Sequence, residues 1–70
     1  MVVFAETDLV QLCQAQPAHG LPVGAVGAVV LVHQQGAAYE VEFVRPDGTT
    51  QAVLTLPAAA VTAATLQAAA

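Results

Sequence analysis

The sequence predicts an all-β fold in which four to five short antiparallel strands bend into a small barrel. Short runs rich in valine either alternate in polarity or are continuously apolar, and both patterns are typical of strands. Clusters of Pro and Gly separate these runs and predict turns. The 70 residues suffice for a single domain, 1–70, and we expect the barrel to span about residues 8–65, with 66–70 as a frayed Ala-rich tail.

The first strand is predicted from Asp8 onward. Val10 and Leu12 share one side of an extended chain there, while Leu9 takes the other side. A loop follows over residues 16–24, because two prolines and two glycines occur within nine residues. This loop is longer than a simple hairpin requires.

The second and third strands carry the strongest pattern. Residues 24–32 are rich in valine and favour a buried strand, and the internal Gly27 indicates a bulge or a tight bend. A turn is predicted over 33–38. In the third strand, 39–43, apolar residues alternate with glutamates. The side chains expected on its inner face are Tyr39, Val41 and Phe43.

The last part of the predicted barrel begins with a turn at 45–48, whose Pro and Gly suit a reversal of the chain. The fourth strand covers 49–56 and ends at Pro57. A short helical turn near residues 57–60 and a closing strand over 61–65 complete an SH3-like barrel, whose closure would remove exposed strand edges. The alternative is one Ala-rich helix from Pro57 to the end of the chain, with Pro at its first position.

The composition argues against several classes of function. The chain is 57% hydrophobic and 9% charged, and its net charge of −4 includes a single basic residue, Arg45. Phosphate backbones and anionic membrane surfaces are bound mainly through Lys and Arg, so we expect neither nucleic acid nor a membrane as a partner. The charge-free runs 9–39 and 48–70 are too polar or too rich in Pro, Gly and Ala for a transmembrane helix. The absence of a secretory leader and the single cysteine, Cys13, predict a cytoplasmic protein.

Six short motifs occur in order along the chain. They are Asp-Leu-Val-Gln-Leu at 8–12, Pro-x-His-Gly-Leu-x-x-Gly at 17–24, Gly-x-Val-Val at 27–30, Tyr-Glu-Val-Glu-Phe at 39–43, Asp-Gly at 47–48 and Leu-Thr-Leu-Pro at 54–57. Over about residues 8–63 they resemble a bacterial family described as domain of unknown function 4926. The resemblance implies a small SH3-like barrel without established catalytic residues. Genes of the family resemble neighbours of toxin-like genes, which suggests an antitoxin role by analogy. The chain departs from the family pattern at 58–60 and 68–70, where alanines replace charged residues.

Few residues of the chain are suited to metal binding or catalysis, and their spacing fits neither. Cys13, His19 and His33 are the only soft ligands, and they do not supply the closely paired ligands of a structural zinc site. Glu40 and Glu42 share a strand face without an aromatic pocket that could divide acid and base roles between them. The glycines of the long loop precede a strand and not the helix that a phosphate loop needs. We therefore predict no catalytic residue, no metal, no cofactor and no enzyme activity.

The outward face of the predicted sheet is the best candidate for function. A chain of this size buries only about 60% of its unfolded surface, which favours association with another chain. Leu31, Val44 and Val53 are placed outward beside Glu40 and Glu42, either scattered or clustered into an apolar patch with an acidic rim. We predict a non-catalytic interaction module that binds a protein partner or itself through these five residues. The alternatives are an antitoxin-like or immunity-like protein and a metal-binding or small-ligand-binding accessory domain.

Overall fold

The computed structural model describes residues 3–64, in which five strands form one antiparallel sheet. The strands are β1 (Leu9–Leu12), β2 (Val26–His33), β3 (Ala38–Val44), β4 (Thr50–Pro57) and β5 (Val61–Ala63). Their order across the sheet is β4-β3-β2-β1-β5. Strands β1 to β4 are therefore neighbours in sequence order, and the chain returns to place β5 beside β1. The predicted all-β fold of antiparallel strands is confirmed.

One face of the sheet forms the hydrophobic core, because apolar residues alternate with polar ones along the strands. In β3 the three predicted core residues, Tyr39, Val41 and Phe43, are buried, and the glutamates between them are only half-buried. The rest of the core comes from the other strands, the long loop and the segment after β4. These residues are Val10, Leu12, Leu21, Val29, Leu56, Ala60 and Val61.

The segment before β1 closes one side of this core. The Phe4 ring meets the Tyr39 ring edge to face, with 5.6 Å between the centroids. The Phe4 N–H donates to Tyr39 Oη at 3.1 Å, and the Thr7 N–H donates to the Val29 carbonyl at 2.8 Å. The phenol oxygen of the buried tyrosine is thus satisfied, and the start of the described chain is tied to both β2 and β3.

The bulge in the β2–β3 pairing lies away from the position that the sequence indicates. The register shifts between Val29 and Leu31, so Val30 is the extra residue. Gly27 is instead paired regularly with β1. A Cβ atom at Gly27 would lie 2.6 Å from Val41 Cγ1. Close packing against β3 explains this glycine, whereas a β-branched residue such as Val30 gives no sequence signal for a bulge.

After β4 the chain makes a 3₁₀ turn at Ala58–Ala60 and enters β5, which pairs with β1. The predicted helical turn and closing strand are both present. Pro57 is the last residue of β4 and has an extended backbone, with φ −65° and ψ 155°. The alternative of one helix beginning at Pro57 is therefore wrong for the described residues. The predicted tail at 66–70 lies outside them.

The strand ladder is open, because β4 and β5 form its two edges and do not pair with each other within residues 3–64. The sequence analysis predicts a closed barrel without exposed strand edges, whereas β4 and β5 remain edge strands of this sheet. The helical elements of this part of the chain are the 3₁₀ turns Pro17–His19 and Ala58–Ala60. Neither has the length and apolar character needed to cross a membrane.

The β3–β4 hairpin reverses at the predicted turn, 45–48. The Gly48 N–H donates to the Arg45 carbonyl at 2.9 Å, and Gly48 has a φ of +91°, which glycine adopts without strain. Asp47 Oδ1 accepts bonds from the Thr49 N–H at 2.9 Å and from Thr49 Oγ1 at 2.6 Å. These bonds hold the turn and so help to set the register of β4 against β3.

The Asp47 carboxylate makes this hairpin sensitive to acid. Hydrogen bonds from the Thr49 hydroxyl and then from its N–H hold the pKa of Asp47 below its ordinary value of 3.8. Because the folded pKa is the lower one, the stabilisation is complete above the ordinary value and is lost as the pH falls through the folded pKa. The Asp47→Asn variant should therefore lose less stability than the wild type on acidification. An NMR titration should give Asp47 a midpoint below 3.8, and a midpoint at or above it would contradict this prediction.

Candidate functional site

The five residues predicted to bind a partner lie on one face of the sheet, opposite the core. Glu40, Glu42 and Val44 alternate with the buried residues of β3. Leu31 of β2 is the cross-strand partner of Glu40, and Val53 of β4 is the partner of Glu42. Cross-strand partners share a face of the sheet. The register therefore brings all five residues to one surface, which we call the outer face.

A shallow apolar concavity of about 150 Å³ lies on the outer face. It extends over β1, β2 and β3, and its lining consists of Leu9, Val26, Gly27, Ala28, Glu42 and Val44. The three large apolar residues among them, Leu9, Val26 and Val44, are 42%, 43% and 52% exposed. Grouped apolar side chains that remain in contact with water are typical of an interaction surface.

The strand register explains why a depression forms here. Leu9 of β1 pairs with Ala28 of β2, and Ala28 pairs with Glu42 of β3. A row of outward side chains thus crosses the sheet with its smallest member, Ala28, between two longer ones. Because alanine ends at Cβ, the surface is lower at the centre of this row than on either side.

Only one of the three apolar residues predicted for this face, Val44, lines the concavity. Leu31 lies further along β2, and Val53 is on β4, which contributes nothing to the lining. Val44 instead clusters with Leu9 and Val26, which the sequence analysis did not select. The alternation in β1 already places Leu9 outward, but its proximity to Val44 depends on the order and register of three strands.

The charged side chains of the outer face are acidic. Glu42 Oε2 accepts a hydrogen bond from Thr50 Oγ1 at 2.7 Å, and Glu40 Oε2 lies 3.6 Å from His33 Nε2. Arg45 Nη1 donates to the Thr50 carbonyl at 3.1 Å. Among residues 3–64 this arginine forms no ion pair with a carboxylate. Within the described residues, the carboxylate of Glu42 is therefore held by a neutral hydroxyl group and not by an ion pair.

The soft ligands of the chain are separated. Cys13 and His19 are exposed and lie between β1 and β2, while His33 is at the end of β2. In the described part of the chain, no three His, Cys, Asp or Glu side chains are close enough together to hold a metal ion.

Fold and surface together define the class of protein: a small all-β chain with one sheet face buried and an apolar concavity beside acidic groups on the other. A family model described as Domain of unknown function (DUF4926) matches residues 6–63. Because the match covers most of the chain, the protein belongs to this family, as the resemblance of its motifs predicts. No curated protein and no solved structure gives a match. The family description states no activity.

Proposed function

We propose that the protein is a non-catalytic interaction module that binds another protein through its outer face. The supporting observation is the grouping of Leu9, Val26 and Val44 around one concavity, separate from the buried core. Complete burial of a Val or Leu side chain is worth roughly 1.5–3 kcal/mol relative to exposure. A partner that covers these three side chains therefore gains free energy that folding alone leaves unused.

We also propose that the module is an SH3-like barrel of bacterial origin that is located in the cytoplasm. The meander of β1 to β4, the 3₁₀ turn after β4 and the return of β5 to β1 support its description as an SH3-like barrel. The family resemblance supports a bacterial origin, and the single cysteine supports a cytoplasmic location. The net charge of −4 disfavours nucleic acid and anionic membrane as partners.

The size of the concavity favours a protein partner over a small molecule. Pockets for small ligands usually have volumes of roughly 300–1,000 Å³, whereas this concavity measures about 150 Å³ and lies open at the surface. A volume of about 150 Å³ is comparable to a cavity that holds one benzene molecule. The concavity thus fits a single apolar side chain that projects from a larger surface.

The test compares two exposed valines. Val44→Asp places a carboxylate in the concavity, whereas Val23→Asp places the same group in the long loop, where Val23 is 63% exposed. Both variants are expected to keep their stability within about 1 kcal/mol, because both side chains are exposed. The wild type and both variants are tagged, expressed in the native cell and purified with their bound proteins. We expect a protein that the wild type and Val23→Asp retain and that Val44→Asp loses.

Two outcomes would count against the proposal. The first is equal retention of the same proteins by both aspartate variants, because the binding surface would then lie elsewhere. The second is a wild type that retains no protein and that also sediments as a monomer at every concentration. Self-association that only Val44→Asp disrupts would support the proposal with a second copy as the partner.

A further inference from the structure

The charge around the concavity narrows the choice of its occupant. Glu42 lines the concavity, and Glu40 lies two residues before it on the same face of β3. The chain has a net charge of −4, and its single basic side chain, Arg45, donates to Thr49 Oγ1 and to the Thr50 carbonyl. Within residues 3–64, no lysine or arginine forms an ion pair with the carboxylate at the concavity.

We infer that the outer face binds a cationic segment of another protein, which inserts one apolar side chain into the concavity and places a lysine or arginine against Glu42. This inference rests on the proposed function and specifies the chemistry of the partner. Thr50 donates to Oε2 of Glu42, which leaves Oε1 able to accept a charged hydrogen bond. A basic residue next to an apolar one complements this surface, which combines the carboxylate of Glu42 with an apolar concavity.

A second copy of the chain is a poor occupant of this surface. A two-fold symmetric interface uses the same surface patch of both copies. Both Glu42 carboxylates would then enter one contact, and each chain carries a net charge of −4. Like charges in such a contact oppose association. We therefore expect the isolated protein to be monomeric.

The test uses peptides of seven residues and isotope-labelled protein in NMR titrations at low salt. Gly-Lys-Leu-Lys-Leu-Lys-Gly supplies both charge and apolar side chains. Gly-Glu-Leu-Glu-Leu-Glu-Gly reverses the charge, and Gly-Lys-Ala-Lys-Ala-Lys-Gly removes the large apolar side chains. The first peptide should bind at least about tenfold more tightly than either of the others. It should shift the amide signals of Leu9, Val26, Ala28, Glu42 and Val44.

Two variants with the same net charge distinguish the effect of the Glu42 carboxylate on peptide binding from the effect of the net charge. Glu42→Gln and Glu6→Gln each remove one carboxylate, so both change the net charge from −4 to −3. Glu6 is exposed in a turn before β1 and does not line the concavity. Glu42→Gln should weaken binding of the lysine–leucine peptide about threefold to fivefold, while Glu6→Gln should leave it nearly unchanged.

The outcomes distinguish this inference from the proposed function. Tighter binding of the glutamate peptide, equal effects of the two glutamine variants or dimerisation through the outer face would overturn the inference and leave an interaction function in place. An absence of shifts at the concavity with the lysine–leucine peptide would also overturn it. The proposed function fails separately, when the comparison of Val44→Asp with Val23→Asp shows no specific loss of a partner.

Discussion

Replacement of Phe43 by alanine is expected to lower the free energy of unfolding by about 4 kcal/mol. Phe43 is 2% exposed and is one of the two largest side chains of the core. Its removal leaves a cavity in a sheet whose strands are held by backbone hydrogen bonds, so the neighbouring strands can collapse into the space only in part. A domain of about 70 residues has a total stability of roughly 4–10 kcal/mol. The expected loss is therefore at least about 40% of the total stability.

Urea denaturation followed by circular dichroism measures this effect, with Val53→Ala as the control. Val53 is 52% exposed on the outer face, and its truncation should change stability by no more than about 0.5 kcal/mol. A loss below about 1.5 kcal/mol for Phe43→Ala would show that this ring does not support the core. A change in the slope of unfolding with urea would instead report a change in the denatured state.

Core residues could be predicted where apolar and polar residues alternate clearly within one strand. The alternation in β3 assigns Tyr39 and Phe43 to the inside from sequence alone, because a strand that buries one face must repeat every second residue. The turn at 45–48 was predictable for a similar reason, since its residue types match the backbone angles of a reversal. The Pro at 57 marked the end of β4, and the structure confirms that position.

The site was less predictable, because it depends on register and not on any one strand. The outward side of β3 could be predicted, and with it the surface that carries Glu42 and Val44. The pairing of β1 with β2 decides that Leu9 lies near these residues, and nothing in the local sequence encodes that pairing. The bulge at Val30 changes which residues of β2 face outward after it. Its position follows from how two strands fit together, so the sequence of β2 alone does not reveal it.

Replacement of Gly27 by alanine is expected to destabilise the protein by about 3 kcal/mol, although it adds a single methyl group. The new Cβ would lie 2.6 Å from Val41 Cγ1, 2.8 Å from the carbonyl oxygen of Glu42 and 2.9 Å from Phe43 Cε1. Two of these neighbours are core side chains, and the third is the backbone of the adjacent strand. The methyl group can be accommodated only if β2 and β3 move apart, which weakens both packing and pairing.

A glycine elsewhere in the chain separates this steric effect from the general cost of replacing glycine. Gly24 has a φ of +89°, and a Cβ atom there would meet nothing within 4 Å. Gly24→Ala should therefore cost about 1 kcal/mol, from backbone strain alone. Urea denaturation of both variants should show the larger loss at Gly27, where the backbone is regular strand. Equal losses at the two positions would contradict the steric explanation.

A double variant tests the same explanation from the opposite side of the contact. Val41→Ala removes the methyl group nearest to the added Cβ and by itself costs stability, because Val41 is fully buried in the core. If the two side chains compete for the same space, Gly27→Ala combined with Val41→Ala should be less destabilised than the sum of the single variants, by about 1 kcal/mol. Strict additivity would place the cost of Gly27→Ala in the two remaining contacts, with the Glu42 carbonyl oxygen and with Phe43 Cε1. A coupling of the expected sign would show that the close packing of β2 against Val41 of β3 contributes to the cost of a side chain at position 27.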